Sequence, residues 1–358
     1  MASFAIMSIR CYKHTLILSK SVRLPIINRI RDLHTSAARL SHDNPLGLPR
    51  NNAPPTMPRR SAGPPKPRKI PNVENIIVVS SAKGGVGKST VSANLALSLA
   101  NNKVERQNGV RSVRVGLLDL DIFGPSVPLL MGLEGQGEPD LTENGALLPL
   151  KNHGIPCMSM GFLLPPSPDG TSSSAPVVWR GLMVMKAVQQ LLFDVDWRGD
   201  SGEGLDVLVI DMPPGTGDVA LTLSQLVKVD GAVIVSTPQE VALADARKGV
   251  AMFDKVDVPI IGMVLNMAHF TAPDTGKMYP LFGSPKAFDK FAQSNNVSVL
   301  ARLPLEPVIS SDGDAGTPIV LRDPSSHSVG HESSKIFKEL GSKVWQDLSQ
   351  RQLGKTTE

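Results

Sequence analysis

The sequence Lys83-Gly84-Gly85-Val86-Gly87-Lys88-Ser89-Thr90 constrains this chain more than any other feature. It directly follows a short apolar, β-branched run at 75–79 and leads into 91–100, which reads as a helix. Glycines let the backbone curl so that its N–H groups point inward at an anion. A helix beginning near Lys88 adds the positive end of its dipole. At this spacing Lys88 is expected to reach β- and γ-phosphates, and Ser89 to give its hydroxyl to Mg²⁺. A purely structural turn is the alternative. The strand–glycine loop–helix context favours the phosphate cradle, lined by Gly84, Gly85, Val86, Gly87, Lys88, Ser89 and Thr90. The usual motif has glycine six positions before the lysine, where this chain has Ala82, with Lys83 beside it.

The pattern repeats along the chain. Apolar runs at 113–118, 207–210, 232–235 and 260–265 each end at Asp, Ser, Thr or Asn. Continuous apolar strands of this kind are buried on both faces, as in a parallel sheet. Helical stretches are expected at 181–192, 241–253 and 285–293. Strand–helix alternation predicts a doubly wound, mostly parallel α/β domain over 74–350, with its ligand at the carboxyl ends of the strands.

Carboxylates stand at those ends. Asp119-Leu120-Asp121 closes the second strand, and Asp211 closes the third. Adjacent strand ends bring them toward the phosphates, where they can hold Mg²⁺ or orient an attacking water. Asp211 is assigned to indirect Mg²⁺ coordination and Asp121 to positioning the water, with Asp119 in support. An acid that simply caps the next turn is the alternative, nearly even for Asp218.

Composition limits the rest. Hydrophobic residues make up 41% of 358 and charged residues 20%, ample for a core. Two cysteines, Cys11 and Cys157, exclude a disulfide scaffold. The net charge of +4 hides an asymmetry: residues 1–73 hold 13 Lys/Arg and 2 Asp/Glu, and the remainder is acidic. An acidic body argues against nucleic acid as a partner. Residues 1–31 carry Arg10, Lys13, Lys20, Arg23, Arg29 and Arg31 before the first acid, Asp32. That is the composition of a mitochondrial transit peptide, expected over 1–40 and implying the matrix; a disordered basic tail that binds anionic surfaces is the alternative. A Pro/Arg-rich linker is expected over 41–73.

The KGGVGKST pattern resembles the deviant Walker A motif of the SIMIBI class of P-loop NTPases. By that resemblance Lys83 acts in trans, across a homodimer, on the partner's nucleotide. A solvated lysine at the loop shoulder is the alternative. The stretches DLDIFGPS (119–126), Trp179-Arg180-Gly181, DMPPGTGD (211–218) and STPQEVALADARK (236–248) resemble the Mrp/ApbC family of iron–sulfur cluster carrier ATPases. The resemblance covers about 72–350. With the presequence and the stretch 157–162 it points to the family's mitochondrial branch, linked to assembly of respiratory complex I. It implies ATP and Mg²⁺, an Asn266 that reads the adenine edge, and a [4Fe–4S] cluster held between two subunits. It also implies an apoprotein client, such as a complex I subunit.

One departure stands out. Family members carry Phe-x-Cys-Pro-x-Cys where this chain reads Phe270-Thr271-Ala272-Pro273-Asp274-Thr275. Neither Ala272 nor Thr275 offers the thiolate that iron–sulfur clusters require. The iron ligands are therefore unassigned. Cys157, in an expected strand, reads as a buried inert thiol. The alternative function is a nucleotide-switched dimeric assembly chaperone that has lost cluster binding. A third is a membrane-positioning ATPase. For that reading, Ile336, Phe337, Leu340, Val344 and Leu348 have helical apolar spacing, which suits either a peripheral membrane contact or packing on the chain's own sheet.

Overall fold

The computed structural model describes residues 67–106, 109–122, 124–163, 181–199, 202–215, 218–322 and 330–356. The chain divides into two units, Met1–Ala62 and Gly63–Glu358. The expected transit peptide, most of the linker, and Trp179, Arg180, Thr216 and Gly217 lie outside the described residues.

Strand β1 (Val73–Ser80) enters the glycine loop, and α1 (Lys88–Ala100) leaves it. A hairpin, β2 (Lys103–Arg106) and β3 (Gly109–Ser112), precedes β4 (Val115–Asp119). Next come α2 (Val127–Leu130), β5 (Leu150–Asn152), β6 (Ile155–Ser159), α3 (Gly181–Phe193), β7 (Leu205–Asp211) and α4 (Asp218–Leu226). They are followed by β8 (Gly231–Ser236), α5 (Glu240–Lys255) and β9 (Ile260–Leu265). A second hairpin, β10 (Phe270–Thr271) and β11 (Met278–Tyr279), leads to α6 (Pro285–Ser294), β12 (Val299–Arg302), α7 (Pro307–Asp314) and α8 (His331–Thr356).

The eight-stranded sheet has the order β12-β9-β8-β1-β7-β4-β6-β5, parallel throughout except for β5 at one edge. Every residue of β4, β7 and β8 is buried, as their unbroken apolar runs require of strands covered on both faces. The central position of β1, between β7 and β8, puts the loop after it at the middle of the sheet's carboxyl edge. There β7 contributes Asp211, which lies in register opposite both Val79 of β1 and Asp119 of β4.

Helix α8 lies along α1. Phe337, Leu340, Val344 and Leu348 are each at most 1% exposed. Burying side chains of this size contributes roughly 1.5–3 kcal/mol apiece. A Cβ at Gly341 would stand 2.5 Å from Cβ of Ser98, so only glycine lets the two helices come this close. The apolar stripe of the last helix is thus spent on the protein's own core. No helix among the described residues is long and apolar enough to cross a membrane.

Both hairpins, β12 and α7 are elements that apolar periodicity does not reveal. The β2–β3 hairpin is polar and is anchored instead by charge. Asp206, 1% exposed, accepts from Arg106 at 2.5 Å, from Arg111 at 2.6 and 2.9 Å, and from the Arg114 backbone N–H at 2.7 Å. Burial alone would push its carboxyl up, but Arg111, the Arg114 N–H and Arg106 outweigh that and hold it below the usual carboxylate range.

Candidate nucleotide site

The glycine loop turns because two of its residues, Gly85 and Gly87, hold left-handed backbone at φ 78° and 82°. Gly87 caps α1, so the helix starts at Lys88 with its first N–H groups facing the loop. The neighbouring strand ends close around it. Gly215, in the loop after β7, donates its N–H to the Ser81 carbonyl at 2.8 Å.

At the centre lies a buried polar knot. Nζ of Lys88 is 2.7 Å from Oδ2 of Asp211, with the side chains 6% and 0% exposed. Oγ of Ser89 donates to the same oxygen at 2.6 Å, and Oγ of Ser92 donates to Oδ1 at 2.6 Å. The P-loop lysine, the P-loop serine and the acid at the end of β7 therefore meet at one point. Ser92 belongs to this group although the motif does not include it. Its position one helical turn beyond Ser89, on the same face of α1, was the available signal. Oxygen donors from a hydroxyl and a carboxylate suit Mg²⁺. Among the described residues no cluster of three His, Cys, Asp or Glu forms an all-protein metal cage. Mg²⁺ bound with phosphates needs none.

Asp119 is wholly buried in the next strand. Its Oδ1 accepts from the Asp121 N–H at 2.9 Å. Its Oδ2 accepts from the N–H groups of Ser126 and Val127 at 3.1 and 3.2 Å and from Oγ of Ser159 at 3.1 Å. Asp119 thus shapes the 119–127 loop rather than reaching out of it. Burial, then the charge of Asp211, push its carboxyl up to about 7, against the N–H of Asp121 and the charge of Lys88. Asp121 follows it, half-buried at the strand end.

Lys83 is half-buried at the loop shoulder, and its ammonium has no ion-pair partner among the described residues. Asn266, at the end of β9, stands against the loop itself: Nδ2 donates to the Val86 carbonyl at 2.8 Å. Thus Lys88, Ser89, Asp211, Asp119 and Asn266 gather at one sheet edge.

The cysteine question is decided by placement. Cys157 is 0% exposed in β6, and burial pushes its thiol up, so it is neither accessible nor ionised. Ala272 and Thr275 lie in the turn of the β10–β11 hairpin, where the Ala272 N–H donates to the Lys277 carbonyl at 3.0 Å. The described side chains do not fit iron–sulfur coordination.

The ParA family model described as NUBPL iron-transfer P-loop NTPase matches residues 72–344. The chain is similar to the mouse iron–sulfur cluster transfer protein NUBPL, 48% identical over 276 residues, 76% of this chain and 80% of that one. It is also similar to the Arabidopsis thaliana iron–sulfur protein required for NADH dehydrogenase, mitochondrial, 43% identical over 282 residues and 79% of each. Among solved structures, a nucleotide-binding protein from Archaeoglobus fulgidus in complex with ADP matches with a TM-score of 0.54 and 35% identity, over 68% of this chain and 87% of that one. The names of these relatives give no support to a chain that has abandoned cluster transfer.

Proposed function

The chain belongs to the NUBPL iron-transfer P-loop NTPase family, and from that premise we propose that it is a mitochondrial ATPase that transfers iron–sulfur clusters to apoproteins, complex I subunits among them. The observation that carries the ATPase part is the meeting of Lys88 and Ser89 on one oxygen of Asp211, at 2.7 and 2.6 Å, at the glycine loop. The cargo and client rest on what the mouse and Arabidopsis relatives are named for.

In this reading the backbone N–H groups of Gly84–Thr90 cradle the phosphates. The Lys88 ammonium exchanges its Asp211 partner for the β/γ oxygens. Ser89 and, through water, Asp211 would hold Mg²⁺, which would neutralise charge on the phosphates. Asp121 orients the attacking water, and Asp119 fixes the loop that carries it. Lys83 of one subunit serves the nucleotide of the other in a homodimer. The cluster is cargo.

The test is threefold, on protein lacking residues 1–40 except where noted. It should hydrolyse Mg-ATP and, reconstituted anaerobically with an added thiol that supplies the iron ligands Ala272 and Thr275 cannot, restore an apo iron–sulfur protein. The full chain should enter isolated mitochondria and the truncated chain should not. Hydrolysis without restoration of the apoprotein would leave the ATPase and remove the cargo.

A further inference from the structure

Asn266 is fixed on three sides. Its backbone N–H donates to the Ser236 carbonyl at 2.8 Å, tying β9 to β8. Its Oδ1 accepts the N–H of Met267 at 3.0 Å, and Met267 adopts left-handed backbone with φ 54°. That conformation is uncommon for a residue with a side chain and persists only where surroundings enforce it. Nδ2 then donates to the Val86 carbonyl at 2.8 Å. Contact with the loop is close: a Cβ on Gly87 would stand 2.2 Å from Nδ2.

Peptide geometry gives this contact a consequence. The Val86 carbonyl and the Gly87 N–H belong to one planar trans peptide, so they point in opposite directions. Holding the carbonyl toward Asn266 turns the Gly87 N–H away from it. Gly87 is free to rotate about its own left-handed backbone, with no side chain to restrain it. Without the clamp this peptide has no other described side chain on its carbonyl.

We propose that Asn266 is a positioning residue for the phosphate cradle: its carboxamide clamps the Val86–Gly87 peptide so that the Gly87 N–H is held for the nucleotide's phosphates. Asn266 therefore acts on the phosphates through the loop, with one of its two Nδ2 hydrogens already committed to Val86. This deepens the nucleotide-binding part of the function proposed above and rests on it.

The test compares two ligands that differ by the nucleoside. Mg-ATP and Mg-tripolyphosphate each displace a fluorescent ATP analogue from the unmodified protein and from Asn266→Ala and Asn266→Ser. Loss of this half-buried hydrogen bond should weaken both ligands by the same factor, about tenfold. Melting of the variants without ligand should fall by several degrees and remain cooperative, as loss of two hydrogen bonds from a folded protein requires. Weakened ATP with unchanged tripolyphosphate would make Asn266 a base reader and overturn the clamp. Unchanged affinity for both would also overturn it. Failure of both variants to fold would overturn it in favour of a purely structural role. An unmodified chain that binds neither ligand would mark failure of the nucleotide reading itself, seen before any variant is made.

Discussion

Lys88 and Asp211 form a buried ion pair, Nζ to Oδ2 at 2.7 Å, between the first residue of α1 and the last residue of β7. The lysine expected to bind phosphate thus also neutralises a carboxylate that has no access to water. Removing one member of such a pair leaves an uncompensated buried charge. Lys88→Ala should therefore abolish ATP binding and also lower stability by about 3 kcal/mol. Adding Asp211→Asn should recover most of the stability and none of the binding. Urea unfolding and ATP titration on the single and double variants check both halves.

Lys83 offers the contrast. It has no ion-pair partner among the described residues of its own chain, so its loss disturbs no local charge balance. Lys83→Ala should keep the parent's stability and ATP affinity. Hydrolysis should fall by roughly a hundredfold, less than a trans-acting arginine supplies. Mixing this variant with a Lys88→Ala chain should restore activity in the heterodimer, where one intact Lys83 faces one intact cradle. No recovery on mixing would count against a role across the dimer.

Asp119 predicts a pH dependence. Its carboxyl is pushed up to about 7 from an ordinary value of 3.8, so the fold holds the proton more tightly than the unfolded chain does. The stability it contributes is fully present below pH 3.8 and is lost as pH rises through 7. Asn at this position stays neutral at every pH. The melting temperature of Asp119→Asn, relative to the parent, should rise with pH over that window and level off above it. A constant offset reflects the hydrogen bonds that Asn cannot reproduce; a flat difference across the window would contradict the raised carboxyl.

The hairpin turn predicts a gain. Ala272 and Thr275 lie in an accessible turn bounded by the β10–β11 pairing, so new side chains there displace no core. Ala272→Cys with Thr275→Cys should raise iron retained after reconstitution toward about half a cluster per chain, one cluster shared by two subunits. Each single change should add little. Iron analysis and absorbance of the three variants decide it. Equal iron in the parent would place the ligands elsewhere than on this turn.

Much of the fold was legible because it rests on local, repeated signals. The apolar runs that became β4, β7, β8 and β9 lie in strands buried on both faces, where all but a few hydrogen-bonded residues are apolar and the run is unmistakable. Residues 84–90 announced the glycine loop between β1 and α1, because glycine, lysine and a hydroxyl stand there at the spacing a phosphate loop needs. The β2–β3 hairpin escaped notice because Arg106, Arg111 and Asp206 are held by charge across about a hundred residues of sequence.

By itself the sequence determined the nature of the groups at the sheet edge: a cradle, a lysine, a hydroxyl and carboxylates, each at the end of its own element. Their chemistry is local, so spacing within a strand or turn was enough. Which of them touch was decided only by the tertiary structure. Strand order placed Asp211 between β1 and β4, joined it to Lys88, Ser89 and Ser92, and turned Asp119 inward to its own loop. It also set Asn266 against Val86, 180 residues away in the chain. Contacts between strands depend on sheet order and register, which no single segment encodes, because parallel neighbours are joined by crossovers rather than by adjacent sequence.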